Sequence, residues 1–385
     1  YTYSNSGENM INPKKFLETL HNFGIDFFVG VPDSLLKHFC AYINENCEKS
    51  NHIICANEGN AIAMAAGSYL ASERIPLVYM QNSGLGNATN PLLSLSDKEV
   101  YGIPMILLIG WRGEPGVKDE PQHIKQGRIQ LALLDVMEIP YFILDENSIN
   151  IDIIIEQAVN LTIELNNPVA LVVKKNTFEE YKPRLVNYQD NFVMTREKAL
   201  EIILNEVNNF HIISTTGKTS RELNELRIKR GEEPSDFLTV GSMGHSSSIA
   251  AGVALRYPSQ KILCLDGDGA MLMHLGALAV IGKLKLKNFY HILLNNYCHE
   301  SVGGQPTAAD ILDFESLAKA VGYQNYFCAD NSETLTNVLK DFANSIGPVM
   351  LEIKVKKGAR ADLGRPQTSP YQNKETFIKS LGKQE

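Results

Sequence analysis

Two short apolar runs, residues 262–265 and 290–294, each end in a polar turn, Asp266-Gly267-Asp268-Gly269 and Asn295-Asn296, with one helix-length apolar segment between them. They read as buried parallel strands joined by a helical crossover. That unit sets Asp268 and Asn296 at the carboxyl ends of two strands, the edge at which open parallel sheets bind ligands. A carboxylate and an amide oxygen can converge there on one hard cation. Gly267 and Gly269 let the backbone approach a phosphate, and the helix that follows offers its first N–H groups.

The same alternation runs through the whole chain. In the first half, strand candidates fall at 26–30, 53–56, 76–81, 105–109, 141–144 and 169–173, with helical patterns between them. In the second half they fall at 211–214, 237–240, 262–265, 290–294, 325–328 and 349–355. The last strands of the halves even open alike, Asn167-Pro168-Val169 and Gly347-Pro348-Val349, and residues 174–194 are polar enough for a linker. The expectation is α/β: two related doubly wound parallel-sheet domains, 10–185 and 186–385. A chain of 385 residues that is 44% apolar can fill two such cores.

Bulk chemistry narrows the partners. A net charge of -8 without a long basic run argues against nucleic acid, and no apolar run is long enough to span a membrane. The six cysteines show neither CxxC nor metal-ligand spacing, and several lie in apolar strand-like runs. They read as reduced thiols, mostly buried, of a cytoplasmic protein. The first nine residues lack the pattern of a signal peptide, and Met10 reads as a natural start preceded by an expression remnant.

Several further residues stand where strands end. Glu58 follows a strand and opens an Ala-rich helix, where a first-turn acid is favoured by the helix dipole. Asp33 follows the first strand, as a helix N-cap would. Residues 79–87 form a strand and a Gly-rich turn, and residues 240–245, VGSMGH, form another turn. Residues 214–220, STTGKTS, contain GKT after a strand, which raises a nucleotide-binding alternative. A phosphate loop needs glycine five residues before Gly217, where this chain has Ile212 inside the strand. No GxGxxG follows the first strand of either half, which weighs against a nicotinamide oxidoreductase.

The GDG turn followed roughly thirty residues later by Asn-Asn resembles the diphosphate and magnesium motif of thiamine diphosphate-dependent decarboxylases. Asn57-Glu58 with its Ala-rich helix is similar to the segment that supplies the cofactor-activating acid of that family. The resemblance implies the thiamine diphosphate-binding fold, with a pyrimidine-binding first domain and a diphosphate-binding second one. It implies thiamine diphosphate and Mg2+ as cofactors, and a homodimer or higher oligomer in which Glu58 of one chain serves the cofactor held by another. Glu58 would hydrogen-bond the aminopyrimidine N1′. Asn82 and Gly84 would lie beneath the cofactor ring, the Gly241 carbonyl would take its 4′-amino group, and Met243 would buttress it between its two rings. Gly267, Asp268, Gly269, Ala270 and Asn296 would hold the diphosphate. Asp268, Asn296 and the Cys298 carbonyl would hold the metal. Asp33, His123, His299 and Glu300 would join Glu58 in catalysis.

Within that family the two-domain form, with 119–123 as DEPQH, 214–222 as STTGKTSRE, 299–305 as HESVGGQ and 360–366 as RADLGRP, is similar to the phosphonopyruvate decarboxylases. The sulfopyruvate decarboxylases, usually two half-length chains, are near neighbours. The chain departs from the common His-Asp pair by having His299-Glu300, a longer acid. The implied reaction is decarboxylation of 3-phosphonopyruvate, a small anionic 2-oxo acid, to phosphonoacetaldehyde and CO2 in phosphonate biosynthesis. Its phosphonate needs cationic donors. The candidates are Arg112, His123 and Lys125 in the loop after the fourth strand, and Arg360 and Arg365 in a near-terminal lid, with Lys218 and Arg221 next.

Overall fold

The apolar runs of the first half form six strands: β1 Phe28–Gly30, β2 His52–Ile54, β3 Leu77–Gln81, β4 Ile106–Gly110, β5 Tyr141–Leu144 and β6 Val169–Val173. All neighbours are parallel, in the order β2-β1-β3-β4-β6-β5. Six more form the second sheet: β7 Phe210–Ser214, β8 Phe237–Leu238, β9 Lys261–Gly267, β10 Phe289–Asn295, β11 Asn325–Ala329 and β12 Val349–Lys354, and two short strands, Cys298–His299 and Gln305–Pro306, pair apart from it. The order of the six, read from β8, is β8-β7-β9-β10-β12-β11, again all parallel. It is the first order with six added to each number, so both halves share one topology. Strands such as β4 and β6 are buried along their whole length because helices cover both faces.

The helices of the first half are α1 Pro13–Asn22, α2 Lys37–Asn46, α3 Glu58–Ser72, α4 Leu85–Pro91, α5 Pro121–Val136 and α6 Ile151–Leu165. Those of the second are α7 Arg196–Glu206, α8 Lys218–Lys229, α9 Ser246–Arg256, α10 Asp268–Met273, α11 Gly276–Leu284, α12 Phe314–Val321, α13 Ser332–Asn344 and α14 Pro370–Leu381. Their starts are written locally: Asn12, Asn57, Thr195 and Asp313 accept first-turn N–H groups, and Asn331 and Ser369 form capping boxes.

In this computed structural model the described residues are 10–148, 150–184, 192–233 and 235–382. Two compact units account for them, one made of residues up to 184 with Val302–Gln305, the other of the rest. The proposed expression remnant, 1–9, and the expected boundary near 185 lie outside the described residues. Two expectations need correction. Residues 174–194 are not all linker, because Thr177 and Glu179 pair with Ile11 and Phe178 stacks on Phe39 in the first core. Strand β8 stops at Leu238 rather than 240, since the chain turns through Gly241 (φ 70°), Ser242 (φ 45°) and Gly244 (φ 86°). Its outer edge is closed by Asn373 of α14, which accepts from Leu238 N at 3.0 Å and donates to Asp236 O at 2.9 Å.

In each sheet the chain moves one way from the first strand to the second, then returns past the first to lay down the third. The switch points, β1/β3 and β7/β9, open crevices at the carboxyl ends of those strands.

Candidate active site

At the β1/β3 switch, Asp33 is fully buried and accepts from Leu35 N at 3.0 Å and from Gln81 Nε2 at 2.8 Å. It is not the expected N-cap: α2 begins at Lys37 with no side-chain cap, and Asp33 closes a local turn instead. Glycine is required at position 110, because a Cβ there would lie 2.0 Å from Asp33 Oδ2. Burial raises the Asp33 pKa, against the bond from Gln81 and the charge of Arg112.

Glu58 is the first residue of α3, but the ordinary picture of a solvated first-turn acid does not hold. Its residue is only 5% exposed, and Asn87 Nδ2 donates to its Oε2 at 2.8 Å. Gly84 faces the carboxyl so closely that an added Cβ would lie 2.5 Å from Oε1. Burial raises the Glu58 pKa, with Asn87 opposing. Burial of this kind shifts a carboxyl toward its protonated form, the form that can donate a hydrogen bond.

The loop after β4 is held shut. Asn82 Nδ2 donates to Arg112 O at 2.8 Å and Asn82 Oδ1 accepts from Arg112 N at 3.2 Å, so both ends of this amide brace backbone. Arg112 grips Asp119 in a fork, Nε to Oδ2 at 2.8 Å and Nη2 to Oδ1 at 2.5 Å, and donates to Ser34 Oγ at 2.8 Å. Asp119 also accepts from Gly113 N and Glu120 N. Although burial opposes it, this set of donors holds Asp119 well below the usual carboxylate range. Only Arg112 of the three expected loop residues is in the loop. His123 is the third residue of α5, and Lys125 lies on the exposed side of the same helix. His123 is buried, and burial, then Arg112, push it down to about 4, so the ring is neutral. Its Nδ1 and the neighbouring Gln122 Oε1 are buried without a hydrogen-bond partner among the described residues. Two such atoms at a helix start call for a ligand or water.

In the second unit, the register Leu294 to Gly267 aligns the ends of β10 and β9, which brings Asp268 beside Asn295 and Asn296. Asp268 opens α10, is buried, and accepts from Thr307 Oγ1 at 2.5 Å. Burial pushes its carboxyl up to about 6, with Thr307 opposing. Asn296 Oδ1 accepts from Cys298 N at 3.1 Å. Burial raises the Cys298 thiol to about 12, and the atom expected to join the metal set is the Cys298 carbonyl oxygen. A Cβ at Gly267 would meet nothing nearer than Thr215 Cγ2 at 4.0 Å, which leaves the turn open to a phosphate. At Gly269 a Cβ would lie 3.0 Å from the His299 ring, so this glycine makes room for the histidine. Burial lowers His299 to about 4. The donor set of carboxylate, amide oxygen and carbonyl suits magnesium, and a cation there would offset the burial cost of Asp268.

Glu300 accepts from Arg196 Nη1 at 2.5 Å and lies 3.7 Å from Lys218 Nζ, while Arg196 also forks onto Glu222 at 2.7 and 2.9 Å. Glu300 is therefore one link of a chain of alternating charges, and Asn296 Nδ2 donates to it at 3.4 Å. Sequence reading missed Arg196, and met Glu222 only as the last residue of the 214–222 motif, with no role of its own. Gly241 N donates to Thr216 Oγ1 at 3.0 Å, which ties the 240–245 turn to the end of β7. Met243 is half-buried in that turn, and Gly244 packs against Ala270 O and His274. Arg360 is paired with Glu197, Glu225 and Asp362, and Gly364 N donates to Glu225 Oε1 at 2.6 Å. The segment expected as a lid is thus fastened to α7 and α8, with Arg365 exposed on it.

Residues 14–138 match the N-terminal TPP-binding domain of the thiamine pyrophosphate enzymes, and residues 215–353 match their C-terminal TPP-binding domain. The chain is 32% identical over 378 residues to the phosphonopyruvate decarboxylase of Streptomyces hygroscopicus, covering 94% of this chain and 92% of that one. It is also 32% identical over 376 residues to the phosphonopyruvate decarboxylase of Streptomyces viridochromogenes, with the same coverage. The chain belongs to the phosphonopyruvate decarboxylase family of thiamine pyrophosphate enzymes. A sulfopyruvate decarboxylase of Methanosarcina acetivorans is 28% identical over 356 residues, covering 86% of this chain and 88% of that one. Membership of the phosphonopyruvate decarboxylase family sets aside the nucleotide-binding reading of the GKT segment. The N-terminal domain match contains Asp33, Glu58, Asn82, Gly84, Arg112, His123 and Lys125. The C-terminal match contains Lys218, Gly241, Met243, Asp268, Asn296, His299 and Glu300, whereas Arg360 and Arg365 lie beyond it.

Proposed function

We infer that this chain is a thiamine diphosphate- and magnesium-dependent carboxy-lyase that converts 3-phosphonopyruvate to phosphonoacetaldehyde and CO2. The observation that carries the reading is similarity over 94% of the chain to two phosphonopyruvate decarboxylases, together with a buried acid, Glu58, and an oxygen-ligand set, Asp268, Asn296 and Cys298, at strand ends. Sulfopyruvate is the second candidate, favoured by the likeness to a sulfopyruvate decarboxylase.

Bound thiamine diphosphate supplies the nucleophilic carbon for the 2-oxo group and the electron sink for CO2 loss. The chain does the rest. Asp268, Asn296 and the Cys298 carbonyl would hold the metal, and the turn at Gly267, Gly269 and Ala270, open at Gly267, would admit the diphosphate. The Glu58 carboxyl, whose pKa burial raises, would face the pyrimidine nitrogen, while Met243 and the Gly241 carbonyl would orient the ring. Neutral His123 and His299, with Asp33, hold or pass the proton that the product carbon requires. For the phosphonate, Arg112 and Arg360 already face carboxylates, so Lys125 and His123 are the cationic and polar groups best able to take a new partner.

We also propose a homodimer. Ala63, Met64, Gly67 and Leu70 of α3 form an exposed, small and apolar face suited to a second copy. Six cysteines without a disulfide suit a reducing compartment such as the cytoplasm. The test of the activity is CO2 release from phosphonopyruvate by purified protein. It should require both thiamine diphosphate and magnesium, and release that survives removal of both would refute the reading.

A further inference from the structure

Beneath the proposed metal ligands, the second sheet buries two acids where apolar residues would be expected. Leu293 of β10 pairs with Asp266 on β9 and with Glu352 on β12, so the three stand in one row across the sheet. Side chains alternate along strands, which puts all three on the face that also carries Ile262, Cys264, Phe289 and Met350. Asp266 is 1% exposed and Glu352 is 4% exposed. Burying carboxylates in such a layer is costly unless each is well hydrogen-bonded.

Each acid is a link in a hydrogen-bonded relay. Asp266 Oδ1 accepts from Gly267 N at 2.9 Å, and its Oδ2 lies 3.1 Å from His291 Nε2. His291 Nδ1 lies 3.0 Å from the Tyr323 hydroxyl. With the proton on Nε2, His291 donates to Asp266 and accepts from Tyr323, and the row is complete. On the other side, Glu352 Oε1 accepts from Asn295 Nδ2 at 2.8 Å and Oε2 accepts from the Tyr326 hydroxyl. Asn295 Oδ1 in turn accepts from Tyr297 N at 3.2 Å. The first relay thus ends on the residue before Asp268. The second ends on the residue after Asn296, where Tyr297 is held at φ 57°, a left-handed conformation unfavourable for tyrosine. Both relays start from tyrosines three residues apart, Tyr323 two residues before β11 and Tyr326 within it.

Cys264, Asp266 and His291 also place three ligand-type atoms within 4.8 Å of one another. They do not form an open metal site, because the acid and the imidazole are bonded to each other and the thiol is fully buried.

We propose that Asp266–His291–Tyr323 and Asn295–Glu352–Tyr326 are positioning relays that preset the two ligand turns, so that Asp268 and Asn296 stand ready for a magnesium diphosphate before it arrives. The proposal rests on the reading of Asp268 and Asn296 as metal ligands. It assigns these six residues to cofactor affinity and not to the chemical step. A turn ordered in advance spares the binding step that ordering cost, and partners behind metal ligands typically set affinity by 10–100-fold.

The test is calorimetry of thiamine diphosphate binding to full-length protein at several magnesium concentrations, with thermal unfolding of each cofactor-free variant alongside. Glu352→Gln keeps shape but must turn an amide N–H2 toward either Asn295 Nδ2 or the Tyr326 hydroxyl. His291→Leu removes the middle of the other relay, and His291→Gln restores a donor toward Asp266. Tyr323→Phe and Tyr326→Phe serve where a central variant fails to fold. The expected result is magnesium-dependent affinity lower by about 10-fold or more for Glu352→Gln and His291→Leu. His291→Gln should recover part of it, with cofactor-free unfolding midpoints near wild type and kcat at saturating cofactor within about threefold. Unchanged affinity in folded variants would overturn the proposal, as would affinity losses that only track losses of unfolding midpoint. Wild-type protein that binds thiamine diphosphate without regard to magnesium would instead overturn the ligand assignment beneath it.

Discussion

Gly84→Ala tests whether the position of the Glu58 carboxyl is set by packing. The added Cβ would lie 2.5 Å from Glu58 Oε1, 2.6 Å from Cγ and 2.7 Å from Cδ. Ordinary contact begins near 3.4 Å, so even the longest of these is about 0.7 Å short. The backbone at Gly84 opens α4 and follows Asn82, whose amide is tied to Arg112, so the carboxyl must move instead. Overpacking of this kind costs roughly 1–3 kcal/mol of stability. A shift approaching 1 Å in a group that must meet a reacting ring costs about 100-fold in rate, or about 2.7 kcal/mol. The assay is steady-state CO2 release at saturating phosphonopyruvate, thiamine diphosphate and magnesium. Gly86→Ala, two residues on in the same helix, is the control: its Cβ meets nothing within 4 Å, so full activity and equal or greater stability are expected. Gly84→Ala protein with kcat within threefold of wild type would refute the argument that Gly84 fixes Glu58.

Asp268→Ala should abolish magnesium-dependent thiamine diphosphate binding measured by calorimetry, and unchanged affinity would sink the ligand assignment. His123→Gln should lower kcat more than it raises KM. Because His123 is lowered to about 4 when folded against about 6.5 when unfolded, its contribution to stability is full above pH 6.5 and is lost as pH falls toward 4. Thermal unfolding of the variant across that window should show a weaker acid-side loss, and an unchanged one would contradict the buried neutral ring. Mixing inactive Glu58→Ala and Asp268→Ala chains should restore part of the activity through hybrid sites, whereas an active monomer in sedimentation would count against the proposed dimer.

Much of the fold was legible because parallel strands buried on both faces must be written as short continuous apolar runs, and each of the twelve expected runs overlaps a strand, with ends that differ by up to two residues. The ends of those runs pointed to Asp33, Glu58, Asp268 and Asn296, since a doubly wound sheet presents its ligands there. What stayed hidden depends on partners distant in sequence. Arg196 is an ordinary first-turn residue of α7 until folding brings Glu222 and Glu300 to it. Asp119 was visible in its motif, but its grip on Arg112 was not. Nor does sequence show that Gly84 and Gly110 are glycines because carboxylates press on them. Phe178 sits in a polar stretch, yet its ring completes a cluster with Phe16 and Phe39.

The central claim is tested most directly by product analysis with phosphonopyruvate, sulfopyruvate and pyruvate offered in parallel to the protein loaded with thiamine diphosphate and magnesium. The account predicts phosphonoacetaldehyde and CO2 from phosphonopyruvate with the highest kcat/KM of the three. Faster turnover of sulfopyruvate or pyruvate, or no turnover of phosphonopyruvate, would contradict it.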